Sequence, residues 1–148
     1  MNLDLLAVDD RVAVAGQLKP ADMKAVADAG FTAVVNNRPD GEAMFGQPKT
    51  ADIKAAAEAA GLKFLDLPFS GPRASPDQVR ALADLLAEGN DRVVAYCKSG
   101  MRSALLWGAA SMANGRSLDE VLQGARRAGQ ELGPVADLMT GLAQTARS

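Results

Sequence analysis

The stretch Val93-Val94-Ala95-Tyr96-Cys97-Lys98-Ser99-Gly100-Met101-Arg102-Ser103 is an apolar run that stops at a cysteine and continues as a short polar turn. It reads as a buried strand over Arg92 to Tyr96, a loop containing Gly100, and the start of a helix. Successive backbone amides in such a turn point inward and form an anion nest, and the helix N-terminus adds its positive end. Arg102 offers a forked, permanently charged donor suited to a tetrahedral oxyanion. The same features favour a thiolate, taking the Cys97 pKa from ~8.5 into the ~3.5–7.5 range. A cysteine at a strand end is ordinarily a small buried hydrophobe. The ordered combination of strand, Cys97, Gly100, Arg102, Ser103 and helix points instead to a nucleophile facing a bound anion. Lys98 either adds charge beside the thiol or solvates the rim.

Working outward, three more apolar runs read as strands: Val12 to Ala15, Thr32 to Asn36 and Lys63 to Leu67. The Thr32 and Arg92 runs are nearly continuous in apolar character, which suits parallel strands covered on both faces. Helical patterns lie between them. Pro20 to Ala29 closes at Gly30, Lys49 to Ala60 closes at Gly61, and Ser75-Pro76-Asp77 caps a helix to Glu88. After Tyr96 the pattern is helix only: Met101 to Ala113, a capping box at Ser117-Leu118-Asp119-Glu120 leading to about Ala128, and Pro134 to Ala146. Alternating strand and helix predicts one α/β domain over residues 1–148, with a mainly parallel central sheet of at least four strands flanked by helices. The long loops, Asn37 to Pro48 and Pro68 to Ser75, both follow strands and belong at the sheet's C-terminal edge, where α/β folds hold ligands.

Composition removes most competing chemistries. The chain has 148 residues, no histidine and one cysteine. Ser-His-Asp triads, imidazole metal sites, intrachain disulfides and multi-cysteine zinc sites are therefore excluded, and no metal or cofactor is expected. A net charge of -2 and 4% aromatic residues argue against a nucleic-acid partner. No apolar run reaches transmembrane length, so no membrane partner is expected either. The segment Met1 to Leu6 lacks the pattern of a secretory leader, and a single free thiol suits a reducing cytoplasm. The oligomeric state is not legible.

The segment around Cys97 resembles the anion loops of cysteine-dependent phosphatases and of rhodaneses. More of the chain, about Val12 to Ala113, is similar to a small bacterial family of beta-lactamase-hydrolase-like phosphatases, also described as sulfur transferases. The likeness rests on Val14-Ala15-Gly16-Gln17, on Gly30 to Glu42, on Ala59-Ala60-Gly61-Leu62, on Leu67-Pro68-Phe69 and on Cys97 to Ser103. It implies a tyrosine- or dual-specificity-phosphatase-like fold, with a rhodanese-like arrangement as the alternative. It also implies that Cys97 is the nucleophile, that Arg102 and the loop Lys98, Ser99, Gly100 and Met101 hold the substrate oxyanion, and that the Ser103 hydroxyl bonds the thiolate. Three departures bear on the reaction. Tyrosine phosphatases place five residues between cysteine and arginine, whereas four stand here, a count typical of rhodaneses. Tyr96 stands where phosphatases usually have histidine. The loop Pro68-Phe69-Ser70-Gly71-Pro72-Arg73 lacks the aspartate that serves them as general acid.

On the loop after the second of these strands, Arg38 is a candidate for binding substrate charge. Asp40 and Glu42 are candidates for a displaced general acid, against the plain reading of Asp40-Gly41 as a turn with solvated charges. Asp66 reads as facing away from the site, Asp77 as part of a helix start, and Leu106 and Trp107 as core. The expected function is hydrolysis of a phosphate monoester through a phosphocysteine. The alternatives are sulfane sulfur transfer through a Cys97 persulfide, and binding of an oxyanion or of a phosphorylated or persulfidated partner without turnover.

Overall fold

A computed structural model describes residues 3–147. Met1 and Asn2, the start of the segment read above for a leader, lie outside the described residues. In chain order the elements are β1 (Leu6–Ala7), β2 (Val12–Ala15), a 3-10 turn (Pro20–Asp22), α1 (Met23–Asp28), β3 (Ala33–Asn36), α2 (Thr50–Ala59) and β4 (Lys63–Asp66). They continue with α3 (Pro76–Ala87), β5 (Val93–Tyr96), α4 (Met101–Ala113), α5 (Leu118–Arg127), a 3-10 turn (Gly133–Val135) and α6 (Ala136–Arg147). The sheet order is β1-β2-β5-β3-β4. Only β1 runs antiparallel; β2, β5, β3 and β4 are parallel to one another.

The strand carrying Cys97 at its end is therefore central. Every residue of β2, β3 and β5 is buried, whereas edge strand β4 keeps Lys63 and Asp66 exposed. Side chains alternate between the two faces, as the pleat requires. Val34, Val94 and Tyr96 pack with Met23 and Val26 of α1 and Ile53 and Ala57 of α2. Val35, Val93 and Ala95 pack with Leu82 and Leu85 of α3, Leu106 and Trp107 of α4, and Met139 of α6. All three C-terminal helices thus thicken one face. Asp77 pairs with Arg80 at the start of α3, while Asp66 accepts from Asn36 Nδ2 at 2.9 Å.

Two elements differ from the sequence reading. Strand β1 was not expected: two residues carry no periodic signal, and it is placed by pairing Leu6 with Val14 and Ala7 with Ala13. The helix expected over Pro20 to Ala29 begins as a 3-10 turn, because Asp22 accepts from the Lys19 amide at 2.8 Å and closes a tighter first turn. Among the described residues no helix is long and apolar enough to cross a membrane.

Helix α5 approaches the core through Gly124. A Cβ there would lie 2.5 Å from the Val8 carbonyl oxygen and 2.7 Å from Trp107 Cη2, and a backbone oxygen cannot move aside. Gly124→Ala is expected to destabilise the fold by ~1–3 kcal/mol through overpacking, despite alanine's better helix propensity. Chemical denaturation of the variant reads this directly; an unchanged midpoint would place α5 farther from the core.

Candidate active site

Because β2, β3, β4 and β5 are parallel, the segments that follow them converge on one edge of the sheet. The Cys97 amide continues the ladder by donating to the Ala15 carbonyl at 3.2 Å, and the Asn37 amide donates to the Tyr96 carbonyl at 2.8 Å. Cys97 is fixed at the sheet's edge and is 1% exposed.

The loop then turns back on the sulfur. Gly100 has φ 93°, a left-handed conformation that side chains rarely adopt, and it caps α4. Its amide donates to Cys97 Sγ at 3.1 Å. The Ser103 amide belongs to the first turn of α4, where helix N–H groups have no intrahelical acceptor. Burial pushes the Cys97 thiol up. The amides of Ser103, Ser99 and Gly100, together with the Ser103 hydroxyl, outweigh it and leave the pKa below the ordinary thiol value.

The Ser103 hydroxyl is fully buried and donates to Asn37 Oδ1 at 2.8 Å. Asn37 is oriented in turn by its Nδ2 donating to the Leu67 carbonyl at 3.0 Å. That hydroxyl has one proton for two acceptors, and an anionic sulfur is the stronger of them. Ser103→Ala is therefore expected to raise the Cys97 pKa. Thiolate reactivity falls as pH drops through the pKa, so the fall moves to higher pH in the variant. The pH dependence of iodoacetamide alkylation measures it, and a superimposable profile would remove Ser103 from the thiolate's environment.

Arg102 is held on its outer edge. Nη1 donates to Glu42 Oε2 at 2.7 Å and to the Phe69 carbonyl at 3.0 Å, and Nη2 donates to Glu42 Oε1 at 2.9 Å. That bidentate pair occupies the end-on face of the guanidinium. Glu42 leaves the side-on edge, Nε and the second Nη2 hydrogen, unengaged, and the charge of nearby Cys97 helps raise the Arg102 pKa after the larger effect of Glu42. Arg38, 6% exposed, supports the same carboxylate: its Nε donates to Glu42 Oε1 at 2.9 Å and its Nη1 to Gln17 Oε1 at 3.0 Å.

These contacts correct the roles read for the two carboxylates. The Arg102 hydrogen bond is the main cause that holds the Glu42 pKa down to about 2, with Arg38 adding to it against burial. Glu42 therefore carries no proton to donate near neutral pH and acts as the anchor of Arg102. Asp40 is exposed and accepts from the Thr50 amide at 2.9 Å and the Thr50 hydroxyl at 2.8 Å, so it caps α2. Arg38 is more a brace for Glu42 than a free cation, although it still lines the cavity. Lys98 and Ser99 are exposed; the Ser99 carbonyl accepts from Gln130 Nε2 at 3.1 Å, and Met101 faces outward at 41% exposure.

Arg38, Glu42, Gly71, Lys98 and Arg102 line a polar cavity of about 440 Å³ above the thiol loop. A larger cavity of about 610 Å³ lies at the other end of the sheet, among Asp9, Arg11, Asn114, Arg116 and Arg127. Cys97 does not line it. Asn37, Gln17 and Gln130 are site residues that sequence reasoning did not single out. The available signal was the pair Asn36-Asn37 ending an apolar strand, since asparagine is depleted in strands and buried amides need partners.

The fold is the tyrosine-phosphatase-like α/β fold, a mainly parallel sheet with a cysteine and arginine loop at the end of its central strand. The chain belongs to the family "Beta-lactamase hydrolase-like protein, phosphatase-like domain", whose model matches residues 4–114. A beta-lactamase hydrolase-like protein of Agrobacterium fabrum is 37% identical over 109 residues, covering 74% of this chain and 25% of that protein. The chain spans about a quarter of the length of the curated relatives it matches. Among solved structures, a candidate phosphatase from Neisseria meningitidis superposes with a TM-score of 0.79 at 30% identity, covering 95% of this chain and 99% of that one. The fold is shared with Tk-PTP in its active form, TM-score 0.73 at 21% identity, covering 99% of this chain and 98% of that one.

Proposed function

We propose that this domain is a cysteine-dependent phosphatase acting on a small phosphate monoester. The observation that carries the reading is the loop turned back on the Cys97 sulfur, to which the Gly100 amide donates, beside an Arg102 whose side-on edge Glu42 leaves open. In the first step Cys97 Sγ attacks phosphorus and a phosphorus–sulfur bond forms. The phosphorus–oxygen bond to the leaving group breaks, and the departing oxyanion takes a proton from water. The guanidinium stabilises the non-bridging oxygens, and the loop amides of Ser99 and Gly100, which hold the sulfur before attack, turn to those oxygens once the sulfur has lost its charge. In the second step water attacks phosphorus, the sulfur leaves as thiolate, and inorganic phosphate is released.

The chain's own residues supply little acid catalysis. The Pro68 to Arg73 loop has no carboxylate, Glu42 is ionised and Asp40 caps α2. Aryl esters, whose leaving groups need little protonation, should therefore react faster than simple alkyl esters.

The spacing favours a second reading. Four residues between Cys97 and Arg102 give a tighter ring than a phosphatase normally uses, and a persulfide needs no equatorial oxyanion contacts. In that route the thiolate attacks the sulfane sulfur of thiosulfate, the sulfur–sulfur bond breaks, sulfite leaves, and the persulfide passes its sulfur to cyanide or a thiol. Intact-protein mass spectrometry separates the two. After a quench with an aryl phosphate, a phosphoryl adduct on Cys97 with release of phosphate is expected, slow but measurable. A stable persulfide after thiosulfate, with no phosphoryl adduct and no phosphate release, assigns the domain to sulfur transfer.

A further inference from the structure

We infer that the ester accepted by this site carries an aliphatic chain, and that the chain lies in an apolar cleft continuous with the anion cavity. The inference rests on the reading of that cavity as a phosphate site. The cleft has a volume of about 420 Å³, and its walls are Pro72, Met101, Leu105, Pro134 and Val135. Gly71 and Arg102 line both this cleft and the polar cavity, so a ligand held at Arg102 has the apolar walls beside it.

The chemistry of the walls selects the occupant. They are aliphatic, with no ring to stack on and almost no polar surface. The carboxylate at the far end, Glu131, is engaged by Arg126 Nε at 2.9 Å and by the Gly133 amide at 2.9 Å. A peptide laid here would lose hydration at its backbone groups without finding partners, whereas a hydrocarbon chain loses nothing. Exposed apolar side chains nearby in sequence point the same way. Of the large hydrophobic side chains exposed among the described residues, Met44 (88%) and Phe45 (86%) stand on the loop that carries Glu42, and Met101 (41%) is in the cleft itself. Chain binding also answers the weak acid catalysis: binding energy from a remote, unreactive part of a substrate can be spent at the reacting centre.

The test uses the full chain with Cys97→Ser, which retains the amides and Arg102 without turnover. Calorimetry measures affinity for inorganic phosphate, then for butyl, hexyl and octyl phosphate at monomeric concentrations, with phenyl phosphate as the aromatic arm. Affinity is expected to rise about three- to fourfold per methylene until the cleft is full. Val135→Asn, added to this protein, should flatten the series and, being uncharged, leave inorganic phosphate binding unchanged. Val135→Ala, a milder change, should reduce the slope. Phosphate binding with a flat alkyl series overturns the chain and leaves the phosphate reading standing. Failure of phosphate and octyl phosphate alike overturns both. A gain for phenyl phosphate alone assigns the cleft to an aromatic group. An alkyl series untouched by either Val135 variant places the chain elsewhere.

Discussion

Replacing Cys97 with serine is expected to stop turnover while leaving the fold and anion binding intact. The sulfur lies in an environment that favours a nucleophilic anion: the amides of Ser103, Ser99 and Gly100 converge on it. A serine hydroxyl would meet the same donors, but its proton affinity is far too high for those contacts to ionise it. No histidine exists in the chain to take the proton. Loss of the nucleophile in a covalent enzyme typically lowers turnover on the order of a millionfold, and that is the scale expected for an aryl phosphate. Because the substitution is nearly isosteric and the loop is held by backbone contacts, thermal unfolding should change little. Binding of inorganic phosphate to the variant verifies that the cradle survives. A serine variant that turns over at the original rate would eliminate covalent catalysis by this site in either of its chemistries.

Arg102→Lys is the second large effect, expected although the charge is retained. The guanidinium uses its end-on edge for Glu42 and its Nη1 also for the Phe69 carbonyl, which leaves its side-on edge for an oxyanion. An ammonium has three donors on one atom and cannot serve a carboxylate, a carbonyl and an oxyanion at fixed angles. The loss expected is ~2–4 kcal/mol of transition-state stabilisation, as for removal of an oxyanion donor, or about 30- to 1000-fold in kcat/KM. Glu42, deprived of its principal partner, should titrate closer to an ordinary carboxylate. Near-normal kinetics in the lysine variant would mean that Arg102 serves the ion pair with Glu42 and little else.

The sequence made the sheet and its catalytic edge readable because those signals are local. Continuous apolar runs gave β3 and β5, the box at Ser117 gave the start of α5, and the order Cys97, Gly100, Arg102 gave the loop. What stayed hidden depends on pairing across the chain. Strand β1 exists through contacts with β2 alone. Glu42 looked like a proton donor because its partner is 60 positions away. Asp40 looked like a second one because nothing local shows that a carboxylate will cap a helix 10 residues later. Asn37 and Gln17 were visible within the quoted motifs, but amide side chains reveal a role only when their partners, Ser103 and Arg38, are brought to them.

The separations in sequence that hid these partners also govern when the site comes into being. Ser103 meets Asn37 across 66 residues, and Arg102 meets Glu42 across 60. Each contact closes a loop that encloses β4 and α3, so the entropy of closure must be overcome before either contact returns any free energy. The strand bearing the cysteine is the last to be synthesised, yet it fills the gap between β2 and β3. Until β5 inserts, the first half of the sheet has no centre and the cradle has no floor. Catalytic competence and completion of the fold are therefore one event, and a chain cut before α4 holds every loop that surrounds the cavity but none of the helix that points its charge there.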